Sequence, residues 1–420
     1  MLDINFIKNN LEIVKDKAKE KGVEVDVDRV LSAYEARQQI SRSVQTLREE
    51  RNKAVKEKDI EKGKEIKNNL DKEESALKDT EIELDQLVRG IPNLPLDGVP
   101  SGSEDDFEEI KKVGEVPKFD FEVRDHVDIG KDLDIIDIER ATKVSGSRFV
   151  YLKNEGVLLE LALVQFALSR LVEEGFSPVI PPVLIKSEIT EKLGYWNEGN
   201  QNNYYHVTDY EEAEEGKETE NPLYLVGTGE HSVVPMHQGE TFNASDLPKK
   251  YAAFSPCFRR EAGSYGKDTK GILRVHQFDK VEMVELVRPE DDEKERNKML
   301  EIAEGLMSDL GLSYRVIKLA AGDIAFPTAQ TIDIETWIPS QGKYRETHSI
   351  STTTDFQSRR LGIKYKDQDE NKYVHILNGT AFAIGRTLIA ILENYQQSDG
   401  SVVVPEVLQK YTGFDKVEKK

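Results

Sequence analysis

KYAAFSPCFRREAGSYGKDTKGILRVHQFDKVEMVELV, residues 250–287, reads as two strands, 250–262 and 273–287, around the glycine-rich polar loop GSYGKDTKG at 263–271. Such a pair is expected to fold back as an antiparallel hairpin. Alternation along a strand then places Arg259 and Glu261 on one face of the first segment, and Phe278 and Glu282 on one face of the second. A guanidinium suits phosphate or carboxylate, carboxylates suit an amine or an adenine amino group, and an aromatic plane stacks a base. Those are the needs of a site for ATP and an amino acid; the competing reading is a solvated, salt-bridged sheet face.

Downstream, a third strand at 331–338 runs into YRETHSIS at 344–351, where Glu346 and the neighbouring hydroxyls offer hard oxygen ligands suited to Mg²⁺. LNGT at 377–380 leads into an apolar helix carrying Leu388, Ile391 and Leu392. Arg386 falls in its first turn, where exposed amides and the helix dipole already favour an anion. Two nucleotide signatures are excluded. GKDT at 266–269 lacks the spacing of a P-loop, and GTGE at 227–230 lacks the last glycine and the strand-to-helix context of a dinucleotide site.

Upstream, residues 28–89 read as two helices. Ala33, Ile40, Val44, Leu47 and Ala54 form the first apolar stripe, and Ile66, Leu70, Leu77, Leu84 and Leu87 the second, with a break between 56 and 63. A stripe this narrow buries one seam, so an antiparallel coiled coil about 40 Å long is expected. Its tip, residues 51–67, holds seven bases (Arg51, Lys53, Lys56, Lys58, Lys62, Lys64, Lys67) against four acids. Pro92, Pro95, Pro100 and Pro117, with the acidic run 104–109, read as a linker into a second domain. That domain opens with a helix at 155–174, apolar almost all round, which implies a partner surface as well as a core face. Seven acids within 209–220 read as a surface loop.

The chain has 420 residues, enough for more than one domain, and 58 Lys and Arg against 79 Asp and Glu give a net charge of −21. That balance opposes polyanion binding by the surface at large, so nucleic acid must meet a local basic patch. No apolar run approaches the ~18 residues of a spanning helix and the first residues lack a signal-peptide core, so no membrane association and a cytoplasmic location are expected. The single cysteine, Cys257, allows no internal disulfide and is expected to be a buried small side chain.

Taken together, CFRREAGSYG at 257–266, VHQFDKVEM at 275–283, GRT at 385–387 and the proline-rich 178–182 segment resemble motifs 2, 3 and 1 of the seryl-tRNA synthetases, which are class II aminoacyl-tRNA synthetases. The resemblance implies an α+β fold: a helical tRNA-binding arm over residues 1–100, and a catalytic domain over 101–420 built on an antiparallel sheet flanked by helices. It also implies roles. Arg259 would hold the ATP α-phosphate and the serine carboxylate, and Glu261 would meet the adenine side. Phe278 would stack on adenine and Arg386 would clamp the γ-phosphate. Arg260 and Thr347 would join the ATP contacts, Glu346 with Ser349 would ligate Mg²⁺, and His348 would either face the ATP or, as the favoured reading, pack in the core. Thr228, Gly229, Glu230, Glu282 and Thr380 would surround the amine and hydroxyl of serine. The implied partners are tRNA(Ser), tRNA(Sec) where it exists, and a second copy of the chain. Departures from the family pattern are Gly229, where alanine is common, and ETHSIST at 346–352, where many members read closer to EISSCSN. Two other readings stand beside this one: a tRNA-independent ligase that loads a carrier protein, and a catalytically idle coiled-coil interaction protein.

Overall fold

The computed structural model describes residues 1–195, 201–208, 222–262 and 271–419. The expected acidic loop at 209–220 and most of the glycine-rich loop, 263–270, lie outside the described residues. The chain divides into two compact units, Met1–Leu94 and Pro95–Lys420.

In the first unit, α1 (Ile4–Asn9) and α2 (Leu11–Glu20) precede the long helices α3 (Val27–Glu57) and α4 (Ile60–Arg89). Asp26 caps α3 by accepting the Arg29 amide, Lys58 ends it in the left-handed conformation, and Asp59 caps α4 through the Lys62 amide. Val44 and Ala54 of α3 are buried, as are Ile66 and Leu70 of α4. Antiparallel register is marked by the ion pairs Arg29–Glu83, Arg37–Glu81 and Arg48–Glu74 at 2.8, 3.1 and 2.7 Å. Thirty residues at 1.5 Å each make a hairpin about 45 Å long. The seven bases of the tip are all exposed. Sequence reading had no place for α1 and α2, which close the root of the hairpin by packing Ile7 and Val14 with Val27, Val30, Val88 and Ile91.

The second unit is organised by one eight-stranded sheet. In chain order its strands are β1 (Glu108–Val113), β2 (Ser177–Val179), β3 (Lys249–Phe258), β4 (Gln277–Val287), β5 (Tyr314–Lys318), β6 (Gln330–Ile338), β7 (Lys343–Thr352) and β8 (His375–Ala383). Their spatial order is β1-β5-β6-β7-β8-β4-β3-β2, antiparallel throughout except for the parallel pair β2 and β3. The acidic segment read as linker therefore ends in an edge strand, β1. Among the helices are α5 (Glu155–Glu173), α6 (Asp292–Asp309), α7 (Phe356–Leu361) and α8 (Ile384–Asn394). Leu163 and Phe166 of α5, Met299 and Leu306 of α6, and Leu388 and Ile391 of α8 pack in one core with Val281, Met283, Ile332, Ile334, Ile350 and Leu377 of the sheet. Polar residues alternate with these on the other face of the same strands. Among the described residues, no helix is long and apolar enough to cross a membrane.

Candidate active site

The polar face of the sheet floors a cavity of about 560 Å³. From β4 come Phe278, Lys280 and Glu282, from β6 Thr331 and Asp333, and from β8 Asn378 and Thr380. Two β-bulges adjust this alternation. Ile334 of β6 pairs with His348 of β7, yet the next residue, Glu335, pairs with Glu346. Thr347 is thus the extra residue, and its hydroxyl turns to Thr336 Oγ1 at 2.8 Å. The bulge is what lets Glu346 and Ser349, three residues apart, both line the cavity; in a regular strand they would point to opposite faces. A second bulge, between Val281 and Glu282 against β8, sets Glu282 opposite Thr380.

One end of the cavity is walled by the turn from Gly227 into the helical segment Glu230–Val233. Glu230, 2% exposed, accepts from the Tyr195 hydroxyl at 3.0 Å on both oxygens and from Gln357 Nε2 at 3.0 Å. Burial pushes its carboxyl up to about 7, and the Glu282 charge adds to the rise while Gln357, Tyr195 and Lys280 oppose it. His231 accepts the Gly227 amide on Nδ1 at 3.3 Å, and burial, with Arg259 and Lys280, holds it neutral by pulling its pKa down to about 3. Arg259 Nε donates to the Gly227 carbonyl at 3.0 Å, which fixes the plane of its guanidinium. Glu282 is met by Lys280 Nζ at 2.5 Å and by the Thr380 hydroxyl at 3.4 Å. Thr228 Oγ1, buried in the same wall, has no hydrogen-bond partner among the described residues.

The other end carries the remaining charges. Arg259 stands over Phe278, its guanidinium carbon 5.4 Å from the ring centre. Arg386, in the first turn of α8, reaches the Glu346 carboxylate and the Glu346 carbonyl at 3.0 Å each. Burial works against ionisation of Glu346, but Arg386, with Arg259 and Arg274, outweighs it and holds the carboxyl below its usual range. Asp333, almost fully buried, is pushed the opposite way, by burial and by the Glu346 charge; its Oδ1 has no partner among the described residues. For Mg²⁺ the donor set fits: Glu346 and Ser349 are hard oxygen ligands with open space before them, and a magnesium ion ordinarily completes its shell with phosphate oxygens and water. Among the described residues no group of three or more acidic, His or Cys side chains forms a cage.

Eleven of the expected site residues therefore line one cavity: Thr228, Glu230, Arg259, Glu261, Phe278, Glu282, Glu346, Thr347, Ser349, Thr380 and Arg386. Three do not. His348 faces the core, edge-on to Phe382 with ring centres 5.8 Å apart, because it pairs with the core residue Ile334 and alternates with cavity-lining Ser349, in agreement with the packed reading. Arg260 is exposed outside the lining, its amide donating to the Asn203 carbonyl at 2.9 Å. Gly229 lies behind the wall, where an added Cβ would come 3.0 Å from that of Ala253. Glu261 reaches the cavity by a different route from the one expected: β3 stops at Phe258, and Glu261 sits past its end at φ 51°, paired with Arg274 at 2.5 Å. Lys280 was missed although alternation between Phe278 and Glu282 points to it. Asp333 was legible in the same way, set between Ile332 and Ile334. Tyr195 and Gln357 carry no local signal.

Comparison with known proteins decides the family. The chain is 41% identical to the serine-tRNA ligase of Treponema denticola over 99% of its own length and all of the relative's. The chain belongs to the seryl-tRNA synthetase family. Residues 1–95 match the seryl-tRNA synthetase N-terminal domain, and 206–395 match the class II core domain shared by the synthetases for G, H, P, S and T. The serine-tRNA ligase of Borreliella afzelii is also 41% identical, over 99% of both chains. The seryl-tRNA synthetase of Pyrococcus horikoshii, solved in complex with ATP, superposes with a TM-score of 0.91 at 37% identity, with each chain wholly covered.

Proposed function

We propose that this seryl-tRNA synthetase family member activates L-serine with ATP and transfers the seryl group to tRNA(Ser). The observation that carries this reading is the gathering of Arg259, Phe278, Arg386 and the buried pair Glu230 and Glu282 in one cavity. The serine carboxylate oxygen attacks the ATP α-phosphorus and pyrophosphate leaves. The terminal ribose hydroxyl of the tRNA then attacks the seryl carbonyl, and AMP leaves. No side chain forms a bond to substrate; the residues position it and balance charge.

Arg259 bridges the serine carboxylate and the α-phosphate, Phe278 stacks the adenine, and Glu261 accepts from its amino group. Arg386 meets the γ-phosphate by exchanging its contact with Glu346 for the nucleotide. Glu346 and Ser349 would hold Mg²⁺, which would supply charge withdrawal from the phosphates. At the other end Thr228 and Glu230 take the ammonium group, while Glu282 and Thr380 take the hydroxyl. A site built to hydrogen-bond that hydroxyl rejects alanine by ~10⁴-fold or more, because its polar groups are otherwise left unpaired.

The exposed basic tip of the α3–α4 hairpin is the contact for tRNA phosphates, of tRNA(Ser) and, where it exists, tRNA(Sec). Homodimer formation is supported by the apolar residues that α5 and the following segment leave exposed: Leu158, Leu161, Val172 and Ile180 at 45, 54, 51 and 83%. A cytoplasmic location accords with these substrates. The carrier-protein ligase and the idle interaction protein find no support, since both family domains are matched and the cavity is furnished with its charged groups.

The test is amino-acid-dependent ATP–pyrophosphate exchange with all twenty amino acids, without tRNA. Exchange with serine alone is expected; exchange with none, or with another amino acid, overturns the assignment.

A further inference from the structure

We propose that Gln357 is a positioning residue for the reaction: its side-chain amide, together with the Tyr195 hydroxyl, stabilises the ionised form of the Glu230 carboxylate and aims it at the ammonium group of the substrate. This rests on the reading that the cavity takes L-serine. Gln357 belongs to α7, is fully buried, and stands behind the cavity wall rather than in it. Its orientation is determined by its neighbours. The Leu193 carbonyl, which can only accept, lies 3.2 Å from one end of the amide, so that end is Nε2, and it also meets Glu230 Oε1 at 3.0 Å; Oε1 faces the Thr353 hydroxyl at 3.2 Å, whose one proton the Ile376 carbonyl shares. Tyr195 donates to the same carboxylate from another side.

The chemistry explains why a neutral donor stands there. A carboxylate this deeply buried tends to take up a proton, and a protonated Glu230 loses its attraction for an ammonium ion. An arginine or lysine in place of Gln357 would keep the charge but would occupy the carboxylate as a permanent ion pair. An amide and a phenol stabilise the anion and leave its charge uncompensated until the amine arrives. The other groups facing Glu230 do not replace them. Glu282 of β4 repels it, Lys280 is engaged by Glu282, and His231 is neutral. Tyr204 and Arg259 line the same cavity, and Arg259 is tied to the Gly227 carbonyl.

The test compares the full chain with Gln357→Met in serine-dependent pyrophosphate exchange from pH 5.5 to 9. Gln357→Met is expected to raise the serine KM about ten- to a hundredfold, as befits removal of a hydrogen bond to a charged group. The ATP KM should stay within about twofold, and the acid limb of kcat/KM for serine should move up by about one pH unit. A merely structural role for the side chain would show as a lower melting temperature and activity with that limb in place. If Gln357→Met does not fold, Tyr195→Phe removes a donor to the same carboxylate without touching Leu193 or Thr353, and must shift KM and limb in the same directions. Serine exchange in the unaltered chain, with an unchanged KM and pH limb in the folded variants, overturns the inference alone. Absence of serine exchange in the unaltered chain overturns the substrate reading and the inference with it.

Discussion

The helical arm and the sheet cavity use the same charged residue types to opposite ends. Along the hairpin, Arg29–Glu83, Arg37–Glu81 and Arg48–Glu74 are 40–61% exposed, so water and salt screen them and they serve chiefly to favour one register. In the cavity, Lys280 and Glu282 are 8 and 3% exposed, and Glu230 is buried beside them. There each charge has lost its water and its state depends on the neighbours that replace it. A pair of charges is thus a weak fastening in one place and a chemical device in the other, and burial makes the difference.

The largest expected effect breaks the device. Arg259→Ala should lower serine-dependent pyrophosphate exchange by about 10²–10³, the scale of removing one preorganised charge-stabilising donor, with an unchanged circular dichroism spectrum. Near-normal exchange would remove Arg259 from the mechanism. Next, replacing Lys53, Lys56, Lys62 and Lys64 at the tip with Glu should raise the tRNA KM at least tenfold. The slope of log affinity against log salt should flatten by about 0.7–0.9 for each tRNA phosphate that is no longer neutralised. Exchange without tRNA should be untouched. A matching fall in exchange would show that the tip substitutions act on the fold instead.

Glu285 sharpens the contrast from outside the site. It is fully buried, Lys250 Nζ stands 3.4 Å from its Oε1, and burial pushes its carboxyl up to about 8 against the partly offsetting charge of Lys250. The unfolded chain releases this proton near the usual 4.5, so between about pH 4.5 and 8 the native state holds more protons than the unfolded one. Stability from this group is therefore full below pH 4.5 and is lost as pH rises to 8, by up to about 1.4 kcal/mol per unit for one proton. Glu285→Gln should flatten that slope and raise the melting temperature at pH 8; an unchanged slope would mean another group causes it. The smallest effect belongs to the arm: Arg48→Ala should cost about 0.5 kcal/mol or less by denaturant unfolding. A cost several times larger would mean that the exposed pair carries packing as well as charge.

The arm was the more legible region, and the reason is local. Helical period shows in any ten residues, and the break expected between 56 and 63 is the turn at Lys58 and Asp59 between α3 and α4. The cavity was legible only where alternation along one strand sufficed, as for Phe278 and Glu282. Alternation could not bring Glu346 and Ser349 to one face, because a bulge is a property of two paired strands, and it took Glu261 there by the wrong route, because β3 ends before it. Tyr195 and Gln357 escaped because they lie on separate segments that meet Glu230 only in the fold.

The sequence alone determined the two long helices, their single apolar seam, the basic tip and the motifs that mark the family, since each is written in neighbouring residues. Only the tertiary structure decided which polar groups lose their water together, which strands carry an extra residue, and which carboxylate has its charged form stabilised by two distant donors. Periodicity is set within one segment of chain, whereas desolvation and charge are summed over every element that packs around a site.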